Sequence, residues 1–309
     1  MKIAVVGSGA VGGYYGARLA HAGQEVTFVA RGAQLRALRE RGLLVWSPLG
    51  DLQVHALAES DTSRVGPVDA VLFAVKTYDL DAAAAMLPPL LGPATVVLTL
   101  QNGVDAPEAV AKVVQPAHVL GGTTYIGTSL LAPGVIEQVG TRRLIVFGEA
   151  FGGATEVTPR VRALADVLLA AEIQVEAVAN VQAALWEKLI FLAPLAGFTA
   201  STRLAMGGVW SDAHIRQQIL ETAREIERVA RAAGVGVRPD VVSRMQATCD
   251  KLPANMRTSM LMDITAGKPL EVEALLGSVV RRGQALGVPT PQTSTLYAVL
   301  KPLAGGRLA

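Results

Sequence analysis

The chain has 309 residues, 51% of them hydrophobic. That is more than one core needs, since single cores stop growing near about 250–300 residues. Lys plus Arg number 28 against 26 acidic residues, a net +2 with no long basic run, which argues against nucleic acid or a membrane surface as partner. The lone Cys249 closes no internal disulfide, no Cys/His cluster has metal-ligand spacing, and no apolar run approaches about 18 residues, so a cytoplasmic, metal-free chain is expected.

From the N-terminus, short β-branched runs alternate with Ala/Leu-rich stretches, as in a parallel sheet with crossover helices. Lys2–Val6 reads as the first strand, with further strands at 26–29, 70–75, 96–100 and 173–178 and two shorter ones within 42–54. Helices are expected between them, notably over 11–22 and 33–41. Residues 125–147 differ: Pro133-Gly134 and Gly140-Thr141 divide apolar runs as antiparallel hairpin turns do, and the segment reads as an elaboration at the sheet edge.

Beyond Asn180, which reads as an N-cap, helical patterns dominate over 181–192, 214–233, 239–249 and 270–286. Gly234, Gly267 and Gly287 read as C-terminal stops, and residues 303–309 as a frayed end. The expected fold is therefore an α/β Rossmann-type doubly wound sheet over residues 1–180, followed by an all-α domain over 181–309.

Gly7-Ser8-Gly9-Ala10-Val11-Gly12 follows the first strand and opens the first helix, the context a dinucleotide-binding G-x-G-x-x-G turn requires. Gly7 permits the tight turn, Gly9 lets the pyrophosphate approach the backbone, and Gly12 lets the helix pack on the sheet. At the end of the second strand, where NAD enzymes place a carboxylate on the ribose, stands Ala30-Arg31. A guanidinium there pairs with a 2′-phosphate, so NADPH is the expected cofactor; the plainer reading is a surface arginine before a helix. Lys76 and Gln101-Asn102-Gly103 follow two further strands, where open sheets bind ligands. Lys76 reads equally as a cofactor donor or a solvated lysine, and Asn102-Gly103 as a cofactor contact or a tight turn. His21, His55, His118 and His214 are scattered without carboxylate partners and receive no catalytic role.

These residues, together with Trp186-Glu187-Lys188-Leu189, Ser259-Met260-Leu261-Met262-Asp263 and Glu271, resemble the ketopantoate reductase (2-dehydropantoate 2-reductase) family along essentially the whole chain. The resemblance implies NADPH-dependent reduction of ketopantoate to pantoate, on the route to pantothenate and coenzyme A. It places the catalytic lysine on Lys188, a cofactor contact on Asn102, a substrate-binding serine on Ser259 and the cleft glutamate on Glu271, which orients Lys188 or binds the cofactor ribose. An ammonium at 188 stabilises charge on a keto oxygen and donates a proton; without the resemblance, a snorkelling lysine at a domain seam is the alternative. Glu271 near a helix start and Ser259 as an N-cap have structural readings of their own. The sequence departs from the family pattern four and eight residues after the lysine, where Leu192 and Ala196 replace asparagines on the same helical face. That leaves two further readings: a related enzyme for another 2-oxo acid or ketone, and a non-catalytic NADPH-binding sensor. A homodimer is a further expectation, from the long apolar helices.

Overall fold

The computed structural model describes residues 1–306; the expectation of a frayed end for 307–309 lies outside the described residues. Within the described part, Gly306 donates its N–H to Leu303 and Ala304 accepts from the Leu270 N–H, so residues 303–306 are tied down rather than frayed. The chain divides into two compact units, one of residues 1–101 and 106–181, the other of residues 102–105 and 182–309.

The first unit is a ten-stranded mixed sheet. Its strands are β1 (Lys2–Val6), β2 (Glu25–Val29), β3 (Leu43–Trp46), β4 (Leu52–Val54), β5 (Leu57–Glu59), β6 (Val68–Phe73), β7 (Leu91–Thr99), β8 (Val119–Ala132), β9 (Val135–Glu149) and β10 (Gln174–Asn180). The run β5-β2-β1-β6-β7-β8 is parallel throughout, the doubly wound order in which chain direction across the sheet reverses between β1 and β6. Helices α1 (Ala10–His21), α2 (Gly32–Arg41), α3 (Leu80–Ala84), α4 (Ala106–Val114) and α5 (Pro159–Ala170) belong to this unit. Ile3, Ala4, Val5 and Val6 of β1 are all buried, as a strand covered on both faces requires. Its core gathers Tyr14, Tyr15 and Leu19 of α1 with Phe28, Leu72, Phe147 and Leu168.

Residues 125–147 are not an edge elaboration. They belong to one long hairpin, β8–β9, turning at Pro133-Gly134, and β9 is flanked by β8, β3 and β10. Gly140-Thr141, read as a second turn, is instead a bulge in β9: Ile126 pairs with Arg143 but Gly127 with Val139. Three residues of β9, 140–142, are left without partners there, and Gly140 at φ +71° turns the strand into them, so local turn chemistry mimicked a chain reversal.

The second unit is helical: α6 (Gln182–Thr202), α7 (Met206–Trp210), α8 (Ala213–Ala232), α9 (Val241–Cys249), α10 (Ser259–Thr265), α11 (Ser278–Ala285) and α12 (Pro291–Leu300), with a π-helical turn at Glu273–Gly277. Asn180 is not the N-cap of α6; it is the last residue of β10, and the buried Val181 intervenes. The helix also runs ten residues beyond its expected end at 192, straight through Pro194. An interior proline costs about 3 kcal/mol or more. Burial of Leu195, Ala196 and Ala200 offsets that cost. Among the described residues α6 is the one helix long and apolar enough to cross a membrane; it is apolar all round because it is the core helix, packed by α8, α10 and α12. Gly234, Gly267 and Gly287 do end or follow helical segments with positive φ.

Candidate active site

The glycine turn lies at the carboxyl end of β1, beside the point where strand order reverses. Gly7 has φ +97°, and a Cβ there would stand 2.5 Å from the Val75 nitrogen. A Cβ on Gly12 would strike the Gly7 carbonyl oxygen at 2.3 Å, so this glycine is what lets α1 begin so near the strand. Gly9, by contrast, has nothing within 4 Å of a built Cβ; it is the N-cap of α1 and no side chain caps that helix. An open approach to uncapped backbone N–H groups is what a pyrophosphate needs. The Ser8 hydroxyl points away from it, donating toward the Val5 and Val29 carbonyls. Any contact Ser8 makes with a cofactor is therefore through its backbone. Ala10 and Val11 are the first two residues of α1.

A cavity of about 440 Å³ opens at this turn, lined by Gly7, Ser8 and Gly9 together with Arg31, Asp79 and Met86. Arg31 is exposed at the N-cap position of α2, its guanidinium beside the Met86 sulfur. The residues fit a dinucleotide phosphate, since the cavity lining holds both open backbone donors and a guanidinium. Asp79 escapes a search for acids confined to the end of β2; it arrives from the segment after β6, which no sequence offset from the glycine turn reveals. Lys76 precedes it, three residues past the end of β6, at the start of the turn Thr77–Asp79. Gln101 has a structural role, because its buried amide donates to the Phe73 carbonyl and so joins the ends of β6 and β7.

In the helical unit three of the sequence-predicted residues come together. The Glu271 carboxylate is 6% exposed and accepts from the Asn102 amide at 3.2 Å. Lys188, in the second turn of α6, is half-buried, and burial pushes its pKa down to about 8, opposed by attraction to Glu271. Glu271 precedes the π-helical turn, so the carboxylate sits at a helix start, and the Leu275 N–H bonds its carbonyl. Ser259 is not the N-cap of α10. Thr258 is: its Oγ1 accepts from the Leu261 N–H and lies 2.7 Å from the Thr199 hydroxyl of α6, which donates to the Leu195 carbonyl. Ser259 is the next residue, half-buried, with its hydroxyl bonded to no described residue. Leu192 is half-buried, whereas Ala196 is fully buried and presents no surface to a ligand.

The open glycine turn of the first unit and the lysine–glutamate–asparagine cluster of the second are the features to set beside known proteins. Residues 3–151 match the model of the family described as ketopantoate reductase PanE/ApbA, and residues 180–304 that of its C-terminal part. A 2-dehydropantoate 2-reductase of Nostoc sp. is 29% identical over 98% of this chain and 95% of its own length. The crystal structure of a PanE/ApbA family ketopantoate reductase from Ralstonia eutropha JMP134 superposes with a TM-score of 0.90 at 34% identity, covering 98% of both chains. D-mandelate dehydrogenase, solved with NADH and anilino(oxo)acetate, shares the fold with a TM-score of 0.89 at 20% identity over 98% of both chains. The chain is a pyridine-nucleotide oxidoreductase fold with a helical second unit, and it belongs to the ketopantoate reductase family.

Proposed function

We propose that this chain reduces a 2-oxo acid to the 2-hydroxy acid with NADPH, with 2-dehydropantoate as its substrate. The observation that carries the reading is the cluster of Lys188, the buried Glu271 carboxylate and the Asn102 amide. The bound nucleotide would supply the hydride. The glycine turn 7–12, through its backbone donors, holds the pyrophosphate, and Arg31 takes the 2′-phosphate that distinguishes NADPH. Lys188 hydrogen-bonds the keto oxygen, stabilises the charge that gathers there and gives it a proton. A pKa near 8 suits a group that must hold a proton at neutral pH yet release it readily. Glu271 orients the ammonium, and Asn102 holds Glu271 in place while its own carbonyl oxygen remains for the cofactor. The unengaged Ser259 hydroxyl is available to the substrate carboxylate or hydroxyl.

A second reading, reduction of a less polar 2-oxo acid, is favoured by Leu192 and the sealed Ala196, which offer no side-chain hydrogen bond on the helix face that carries Lys188. The test is NADPH consumption with ketopantoate, 2-oxoisovalerate and an aryl 2-oxo acid. A kcat/KM for ketopantoate well above the others supports the proposal; equal values for ketopantoate and 2-oxoisovalerate favour the second reading; no turnover with any 2-oxo acid overturns both.

A further inference from the structure

The loop Asn102–Asp105 is built into the helical unit by more than the Asn102 amide. Gly103, at φ +90°, backs onto the π-helical turn, where a Cβ would stand 2.8 Å from the Ala274 carbonyl oxygen. At the far end of the loop, one oxygen of Asp105, Oδ1, accepts from the Ser278 hydroxyl at 2.9 Å and from Arg282 Nε and Nη2 at 3.1 and 2.7 Å. Arg282 in turn lies 6.0 Å from the centroid of the Trp186 ring, on the helix that carries Lys188 two residues later. The four loop residues are thus held at both ends: Asn102 on Glu271, two residues before the π turn, Asp105 on the helix beyond it.

We propose that Asp105 is a positioning residue: clamped by Arg282 and Ser278, it holds the Asn102 amide on the Glu271 carboxylate and so fixes the charge that faces Lys188. The assignment rests on the proposed reductase activity only for its kinetic consequence. The ion pair itself is partly open to solvent, with the side chains of Arg282 and Asp105 27% and 37% exposed, so it contributes little to stability. Its location explains it better: with Asp105 released, the four residues keep the Asn102 amide on Glu271 only through a bond of 3.2 Å next to the fixed Gln101, and a shift of the loop spoils that geometry.

The experiment compares Asp105→Ala, Arg282→Ala, the double variant and Asp105→Asn, which keeps the acceptor oxygen. Asp105→Ala is expected to lower kcat about tenfold with little change in melting temperature. Arg282→Ala should do the same, the double variant should be no worse than either single one, and Asp105→Asn should recover most of the loss. Independently of turnover, the Lys188 side chain, followed by NMR in lysine-labelled protein, should titrate at lower pH in Asp105→Ala than in the unaltered protein, because the Glu271 carboxylate, no longer held by Asn102, favours the ammonium less. Unchanged kcat together with an unmoved Lys188 titration, or strictly additive single substitutions, would overturn the clamp. If the unaltered protein reduces no 2-oxo acid, the functional reading fails while the Lys188 titration still decides this proposal.

Discussion

The electrostatics of the site centre on Lys188. Burial lowers its pKa from 10.5 to about 8, so the ammonium is the predominant form at neutral pH and is lost as pH rises through 8. With nucleotide saturating, kcat/KM for the 2-oxo acid is expected to be flat below that value and to fall about tenfold per pH unit above it. A profile flat to pH 10 would remove Lys188 as the proton donor. The stability effect has the opposite sign: between 8 and 10.5 the unfolded chain binds the extra proton, so this group's contribution to stability rises with pH in that window. Lys188→Ala should retain nucleotide binding and lose turnover, since removal of one contact to a developing oxyanion costs about 2.7–4 kcal/mol in the barrier. The role proposed for Arg31 lies elsewhere, on the nucleotide. Charge-assisted hydrogen bonds of about 1.5–3 kcal/mol mean that Arg31→Ala should weaken NADPH binding at least tenfold while leaving NADH nearly unaffected, read by fluorescence titration. Equal losses for both nucleotides would place Arg31 outside the phosphate site.

At the scale of elements, α10 separates two roles that adjacent residues invite confusing. Thr258 caps the helix and joins it to α6 through Thr199, so Thr258→Ala should cost about 0.5–2 kcal/mol of stability. Ser259→Ala loses no hydrogen bond in the described structure and should leave the melting temperature in place while raising KM for the 2-oxo acid. A Ser259 variant that melts early with unchanged KM would assign the hydroxyl to structure. The π-helical turn makes a similar demand. It brings the Ala274 carbonyl against Gly103, whose φ of +90° a residue with a Cβ adopts only at a cost of order 1–3 kcal/mol. Gly103→Ala is therefore expected to lower both the melting temperature and kcat, because the loop that carries Asn102 must move.

For the molecule as a whole, the proposed nucleotide binding is expected to be linked to folding. NADPH at a hundred times its dissociation constant should stabilise the chain by about 2.7 kcal/mol, a shift Lys188→Ala keeps and Arg31→Ala reduces. Absence of any NADPH-induced shift in the unaltered protein would count against the glycine turn as the cofactor site.

Sequence by itself determined what local chemistry dictates. The strand–glycine–helix junction at Gly7, the alternation of strands and helices, the shift to helices after β10 and the glycine stops at 234, 267 and 287 all arise from backbone conformations that residue type restricts. The ordered set Lys188, Ser259 and Glu271 was legible as a resemblance, though not as geometry. Only the tertiary structure decided features that depend on residues far apart in the chain: β8–β9 lies inside the sheet because β3 and β10 pair with β9, and α6 passes Pro194 because the surrounding helices bury its second half. Asp79 joins Arg31 at one cavity, and Asn102 meets Glu271 across 169 residues. Long-range pairing and burial are sums over many partners, and no window of sequence contains those partners; the physics that places them acts only once the chain has folded.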